Sequence, residues 1–288
     1  MTTHYSSEAR KNEILHLYDE KLAALNLDYI ELSVSTSFGH THIIVSGAAT
    51  NPPIFLLHGS NGCAPIALET YPNLHRFFRV YAIDVLAQPN KSAATRLSMK
   101  DHSYGQWINE LIDHLNLDQV TMAGFSLGGL AILKTLEFDE RRIKEVFLSA
   151  PAYLVNGNPL KALFKVFIPM KRYQKTKDLK YVKQFLNELF TESDPFALEF
   201  LAKVFLFFDM DFTPVPVIHS KKAAAIQTPI TIFAAKDDLL FPGKKMLRRA
   251  AKIFPSLKYT ELLDASKHVQ SAAQNETIVQ RIVSQRLQ

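Results

Sequence analysis

A single cysteine, Cys63, stands in the whole chain, so no intrachain disulfide can form and the fold must rest on its apolar core. No stretch approaches the roughly 18 to 20 uninterrupted apolar residues that a bilayer span needs. Even the greasiest run, 201–208, is broken by Lys203. The first residues, MTTHYSSEARKNE, lack both the apolar stretch and the small-residue cleavage site of a secretory leader, which sets the expectation of a soluble, cytoplasmic protein. A strong charge bias is also missing: the net charge is +5, and the basic residues are dispersed except at Lys171, Arg172, Lys175, Lys177, Lys180 and Lys183. That cluster reads as a solvated helix face, with a hold on an anionic substrate or membrane surface as the lesser alternative. No aromatic-interleaved basic motif accompanies it, so no nucleic-acid partner is expected. There is no internal repeat, low-complexity tract or Gly/Ser-rich linker, which argues against a second independent domain.

What is present is 47% hydrophobic content over 288 residues, enough for one large core. Residues 7–26 place Ile14, Leu15, Tyr18, Leu22 and Leu25 on one helical face. Two β-branched runs, 29–36 and 41–45, flank the Gly-containing turn SFGH and read as a leading antiparallel pair. Then come IFLLHG (54–59), VYAIDV (80–85), QVTMAGF (119–125) and EVFLSA (145–150), nearly continuous apolar runs of the kind a doubly covered parallel sheet requires. Helical segments at 105–115 and 127–138 predict right-handed crossovers. From 152 to about 220 the alternation stops. Only helices are expected there, and they hold ten of the 20 phenylalanines: Phe164, Phe167, Phe185, Phe190, Phe196, Phe200, Phe205, Phe207, Phe208 and Phe212. Such density suits a packed miniature core, an apolar wall facing a ligand, or both in one inserted helical cap. Alternation resumes with a strand at 229–235, a helix at 243–253, a strand at 257–264 and a closing helix at 270–286. The expected class is therefore α/β: a mostly parallel sheet of about eight strands, helices on both faces, core segments 1–151 and 221–288, and a cap at 152–220.

Glycine is scarce, at 10 residues, which sharpens one motif. Gly124-Phe125-Ser126-Leu127-Gly128 lies where a buried strand should meet a helix. A sharp strand-to-helix turn presents the serine, and tiny residues two before and two after let the backbones pass. With this composition a chance Gly-x-Ser-x-Gly occurs about 0.02 times per chain. A serine hydroxyl needs an imidazole to take its proton. His268, in the loop after the last expected strand, lies at the carboxyl edge where parallel sheets bind ligands. His40 and His42 are spaced by two, yet without a carboxylate or cysteine partner nearby they are not expected to hold a metal. His58 closes the strand IFLLHG and should brace neighbouring loops by hydrogen bonds. The remaining histidines read as surface or packing residues, and Cys63 as simple packing. Either Asp237 or Asp238, both following the strand at 229–235, could orient the imidazole. The oxyanion donors would be the backbone N–H groups of Leu127, which opens a helix, and Ser60, in the loop His58-Gly59-Ser60-Asn61-Gly62.

Gly124 to Gly128, His58-Gly59 after a strand, Asp238-Leu-Leu-Phe-Pro242 and Ser266-Lys-His268 together resemble the α/β-hydrolase family of carboxylesterases, most closely its lid-bearing bacterial members, and the likeness runs along essentially the whole chain. The resemblance implies a hydrolase with Ser126 as nucleophile, His268 as base and Asp238 as acid, since the family acid is followed four residues later by a proline. It implies a small-molecule ester-type substrate and no cofactor. One departure is DVLAQPNKS (84–92), where relatives carry glycines, so this loop should be stiffer or differently shaped. A serine nucleophile disfavours dehalogenase and epoxide hydrolase chemistry, which need a carboxylate. The same triad could serve a thioesterase, lactonase, perhydrolase or carbon-carbon bond hydrolase, or stand unused in a binding or signalling module. Oligomeric state is left open by the sequence.

Overall fold

The computed structural model describes residues 3–286. A helix, α1 (Glu8–Ala24), is capped by the Ser7 side chain, which accepts from the Arg10 N–H. It leads into an antiparallel pair, β1 (Tyr29–Thr36) and β2 (Gly39–Ser46). The remaining strands are β3 (Pro53–Leu57), β4 (Arg79–Ile83), β5 (Val120–Phe125), β6 (Ile143–Ser149), β7 (Ile230–Ala235) and β8 (Leu257–Leu263). They form one eight-stranded sheet in the order β1-β2-β4-β3-β5-β6-β7-β8. β2 meets β4 antiparallel, and every pairing from β4 to β8 is parallel.

Both faces of the sheet are covered, and side-chain alternation sorts the apolar residues between them. Ile43, Val45, Phe55 and Leu57 pack on the face covered by α3 (Ser103–His114), α4 (Leu127–Phe138) and α10 (Gly243–Ile253). Ile44, Ile54 and Leu56 pack on the opposite face with α1, α2 (Ala64–Thr70) and α11 (Ala272–Arg286). Trp107 on α3 is fully buried and donates from Nε1 to Thr41 Oγ1 at 2.8 Å, fastening α3 to β2. The seven-residue α2 is too short to show a helical period in the sequence, and so is α9 (Ser220–Ala225).

Between β6 and β7 the chain makes an excursion of helices only: α5 (Pro159–Ala162), a π-turn (Leu163–Phe167), α6 (Ile168–Thr176), α7 (Lys180–Leu189) and α8 (Pro195–Phe207), then α9. Its neck is closed by the Ile218 N–H donating to Tyr153 O at 2.7 Å. Tyr153, at φ 85, is anchored by its hydroxyl donating to the Glu137 carboxylate, whose side chain is buried, at 2.8 Å. The ten phenylalanines do not form a core of their own. Phe200, Phe205 and Phe208 are buried with α1 and the sheet in a shared core, whereas Phe164, Phe167 and Phe212 are exposed.

Replacing Trp107 by Phe leaves the fully buried Thr41 hydroxyl without its indole partner, and stability should fall by about 1–3 kcal/mol. Trp107→Ala, which also opens a cavity, should cost about 3–5 kcal/mol. Urea unfolding followed by circular dichroism checks both, and an unchanged midpoint for either variant would contradict this packing.

Candidate active site

The strand β5 ends at Phe125 and the chain turns into α4 through Ser126, whose φ of 51° and ψ of −110° lie where a residue with a Cβ is strained. Surrounding bonds hold the turn. Ser126 N–H donates to Ser149 O at 3.0 Å, and Ser126 O accepts from Ala152 N–H at 3.0 Å. The flanking glycines are sterically required: a Cβ on Gly124 would stand 2.7 Å from the Gly128 backbone, and one on Gly128 would run into the Leu57 carbonyl. Ser126 therefore stands at the carboxyl edge of the central strands, at the N-terminal end of α4, where unpaired N–H groups and the helix dipole favour negative charge.

Two further loops at that edge meet it. Ser126 Oγ lies 3.0 Å from His268 Nε2, and His268 Nδ1 lies 2.8 Å from Asp238 Oδ2. All three side chains are buried, at 4–6% exposure. The second carboxylate oxygen of Asp238 accepts from the N–H groups of Leu240 at 2.7 Å and Phe241 at 3.0 Å. Asp238 is acceptor-only when ionised, so Nδ1 of His268 carries a proton and Nε2 is left with its lone pair toward the serine. Phe125 and Phe241 pack against the imidazole with ring centroids at 5.0 and 5.5 Å. Asp237 is exposed and reaches neither side chain; only its N–H is engaged, donating to Ser266 O at 2.8 Å.

The loop 58–62 passes beside the serine: a Cβ added to Gly59 would lie 2.8 Å from the Phe125 ring and 3.3 Å from Ser126 Cβ. His58 fixes this loop to the end of β4. Its Nε2 accepts from Val85 N–H at 3.0 Å, so Nδ1 carries the proton and donates to Gly59 O at 2.8 Å. Complete burial pushes its pKa below the ordinary histidine value, in keeping with a neutral ring.

One expectation is corrected here. His42 does have carboxylate partners: its Nδ1 is 2.9 Å from Asp84 Oδ2 and its Nε2 is 2.7 Å from Glu31 Oε2. With an acceptor at each nitrogen the ring carries two protons. Burial opposes the charge, but Asp84 and Glu31 prevail and raise its pKa above the ordinary value. Among the described residues no group of three or more His, Cys, Asp and Glu side chains could hold a metal ion. The pairing with Asp84 was hidden in the sequence because it depends on strand register: β2 runs antiparallel to β4, and the Asp84 N–H donates to His42 O at 3.0 Å. Asp84 also accepts from Ala64 N–H at 2.7 Å, pinning α2 and, through it, the loop beside Ser126. In the glycine-free loop 84–92, Ala87 takes φ 54°, while buried Asn90 donates to Val85 O at 2.9 Å and accepts from Ser92 N–H at 2.9 Å. The loop is thus braced by side chains. Cys63 is fully buried in the core, and burial pushes its thiol pKa well up, so packing describes it.

The chain belongs to the α/β-hydrolase-fold family, whose model matches residues 52–206. Among individual proteins it is similar to the uncharacterized carboxylesterase nap of Bacillus subtilis, with 26% identity over 306 aligned positions that take in 98% of this chain and 96% of the relative. It is likewise similar to the carboxylesterase YbfK of the same organism, 25% identical over 278 positions, covering 93% of this chain and 91% of the relative. The crystal structure of the B. subtilis naproxen esterase superposes with a TM-score of 0.83, covering 96% of this chain and 98% of that one at 23% identity, and so shares the fold.

The His42 pair generates a pH prediction. A histidine whose pKa is raised on folding contributes stability in full below its unfolded value, and that contribution is lost as pH rises through the folded value. The melting temperature of the wild type should therefore fall more steeply than that of His42→Gln as pH rises above the ordinary histidine range. Parallel slopes in thermal melts would show that His42 is not held charged.

Proposed function

We propose that this protein is a serine carboxylesterase that cleaves small to medium apolar esters through an acyl-enzyme on Ser126. The observation that carries the reading is the continuous hydrogen-bonded chain Ser126–His268–Asp238, buried at the strand edge beside a helix N-terminus. Its setting supports the chemistry, since the family membership and the two near full-length carboxylesterase relatives point to ester bonds.

In the first half-reaction Ser126 Oγ attacks the ester carbonyl carbon and gives its proton to His268 Nε2. Asp238 holds the Nδ1–H and stabilises the imidazolium that forms. The tetrahedral oxyanion is received by the N–H groups of Leu127 and Ser60. Collapse breaks the bond to the alkoxy oxygen, which takes the proton from His268 and leaves as the alcohol. Water then enters, loses a proton to the same nitrogen and attacks the acyl-enzyme, releasing the acid and restoring Ser126. The tying of His58 to Val85 and of Ala64 to Asp84 keeps the Ser60 segment fixed, so the donors are placed before charge develops. The apolar preference is supported by the Phe125 and Phe241 rings around the imidazole. The helical excursion 152–220 acts as the lid of the site, touching the acid loop through the Gly157 N–H donating to Leu240 O and the base loop through Thr191 N–H donating to Val269 O.

Treatment of the intact protein with a fluorophosphonate should give a single adduct on Ser126 by mass spectrometry, absent in Ser126→Ala and lost in His268→Ala. Turnover of a short-chain aryl ester should drop about 10⁴-fold or more in Ser126→Ala and about 10⁴-fold in Asp238→Asn. It should stay near wild type in Asp237→Asn. Undiminished turnover in Ser126→Ala would overturn the assignment.

A further inference from the structure

The lid carries a face that no catalytic step uses. Along α5 and the π-turn, Leu160, Leu163, Phe164 and Phe167 recur at spacings of three, one and three, so they form one helical stripe. That stripe points outward: Leu160 is 64% and Phe164 63% exposed, while Val166, between Phe164 and Phe167, is buried. Phe212 extends the ridge, its ring 5.7 Å from that of Phe167 and also exposed. Such a cluster of large apolar side chains in water is costly and marks a contact surface.

The charge around the ridge selects what it contacts. Residues 159–183 hold seven lysines and one arginine against a single aspartate, a net +7 in a chain whose total is +5. The rest of the molecule is therefore net −2, so the chain's net positive charge comes from this segment, offset locally by Asp211 beside Phe212 and by Glu188, which Lys165 Nζ meets at 2.8 Å. All eight basic side chains are exposed, and Lys171 Nζ lies 5.8 Å from the Phe212 ring. A helix with a Leu/Phe stripe and a lysine-rich rim is the arrangement that lies in the plane of an anionic lipid surface, its apolar side chains among the acyl chains and its ammonium groups at the phosphates.

We infer that the 159–183 segment docks the protein on an anionic lipid–water interface through Leu160, Leu163, Phe164, Phe167 and Phe212, with the surrounding lysines supplying the attraction. The segment is flanked by two ties to the loops at the sheet edge: Gly157 N–H donates to Leu240 O in the acid loop, and Thr191 N–H donates to Val269 O in the base loop. Docking thus holds the part of the chain tied to both catalytic loops at the interface, where apolar esters collect. Binding of this kind stands whether or not the site hydrolyses esters.

Co-sedimentation with vesicles tests it. The wild type should bind equimolar phosphatidylcholine and phosphatidylglycerol vesicles at least about tenfold more tightly than phosphatidylcholine alone, and high salt should release it. The double variant Leu160→Ser, Phe164→Ser should lose about tenfold or more of that affinity while its melting temperature and its turnover of a water-soluble short ester stay unchanged. Lys161→Gln with Lys175→Gln should narrow the preference for the anionic vesicles. The proposal is overturned if the wild type stays in the supernatant at low salt, or if the serine variants bind as well as wild type. It is overturned equally if those variants act by raising KM for the soluble ester, which would make the ridge a wall of the substrate site. Light scattering that shows a dimer abolished by the same variants would assign the ridge to a second copy of the chain instead.

Discussion

The close approach of α4 to β3 and β5 is the constraint from which the site follows. Only because Gly124 and Gly128 lack side chains can the helix start directly above the strand ends, and only then does the connecting residue take the positive φ that lifts Ser126 over the edge of the sheet. The same turn aims the first N–H groups of α4 at the space beside the serine oxygen. In the proposed mechanism, nucleophile and electrostatic stabiliser are thus one local backbone decision. Asp238 and His268 arrive from β7 and β8 on loops whose positions are fixed in turn by the parallel register of β7 with β6 and of β8 with β7.

Behind the loop 58–62 lies a second, quieter layer of polar order. Asp84 is wholly buried, so its carboxylate is tolerable only with a full set of donors, and His42 and Ala64 N–H provide them. Glu31, at the opposite nitrogen of His42, is itself met by Lys91 Nζ at 3.0 Å, which extends the chain of alternating charge out to solvent. Breaking such a network at one member leaves an uncompensated charge inside the protein. The network therefore makes the loop beside Ser126 rigid by making its displacement costly.

The fold was legible because buried parallel strands have an unmistakable pattern, and α4 and the sheet edges fell where the apolar runs ended. Ser126 and His268 could be read from their places at strand ends, since topology alone brings those ends together. The choice between Asp237 and Asp238 could not be read from spacing, because neighbouring loop residues point to different sides, and only the four-residue interval to Pro242 in the family resemblance separated them. The pairing of His42 with Asp84 was illegible for a different reason: it depends on which strand lies on the far side of β2, and β4 is not its neighbour in sequence. The phenylalanine-rich excursion gave the least. Composition cannot say which of ten rings face α1 and which face water, since that is decided by packing against a helix more than 130 residues earlier in the chain.

The separation of 142 residues between Ser126 and His268 bears on how the molecule is made. During synthesis the nucleophile and six strands emerge well before the edge strand β8 and the loop that bears the imidazole. A nascent chain can thus build most of its sheet while its serine remains an ordinary alcohol, inert toward the esters of its surroundings. On the proposed mechanism, reactivity switches on only when β8 docks against β7, so the last step of assembly is also the first moment of chemical competence.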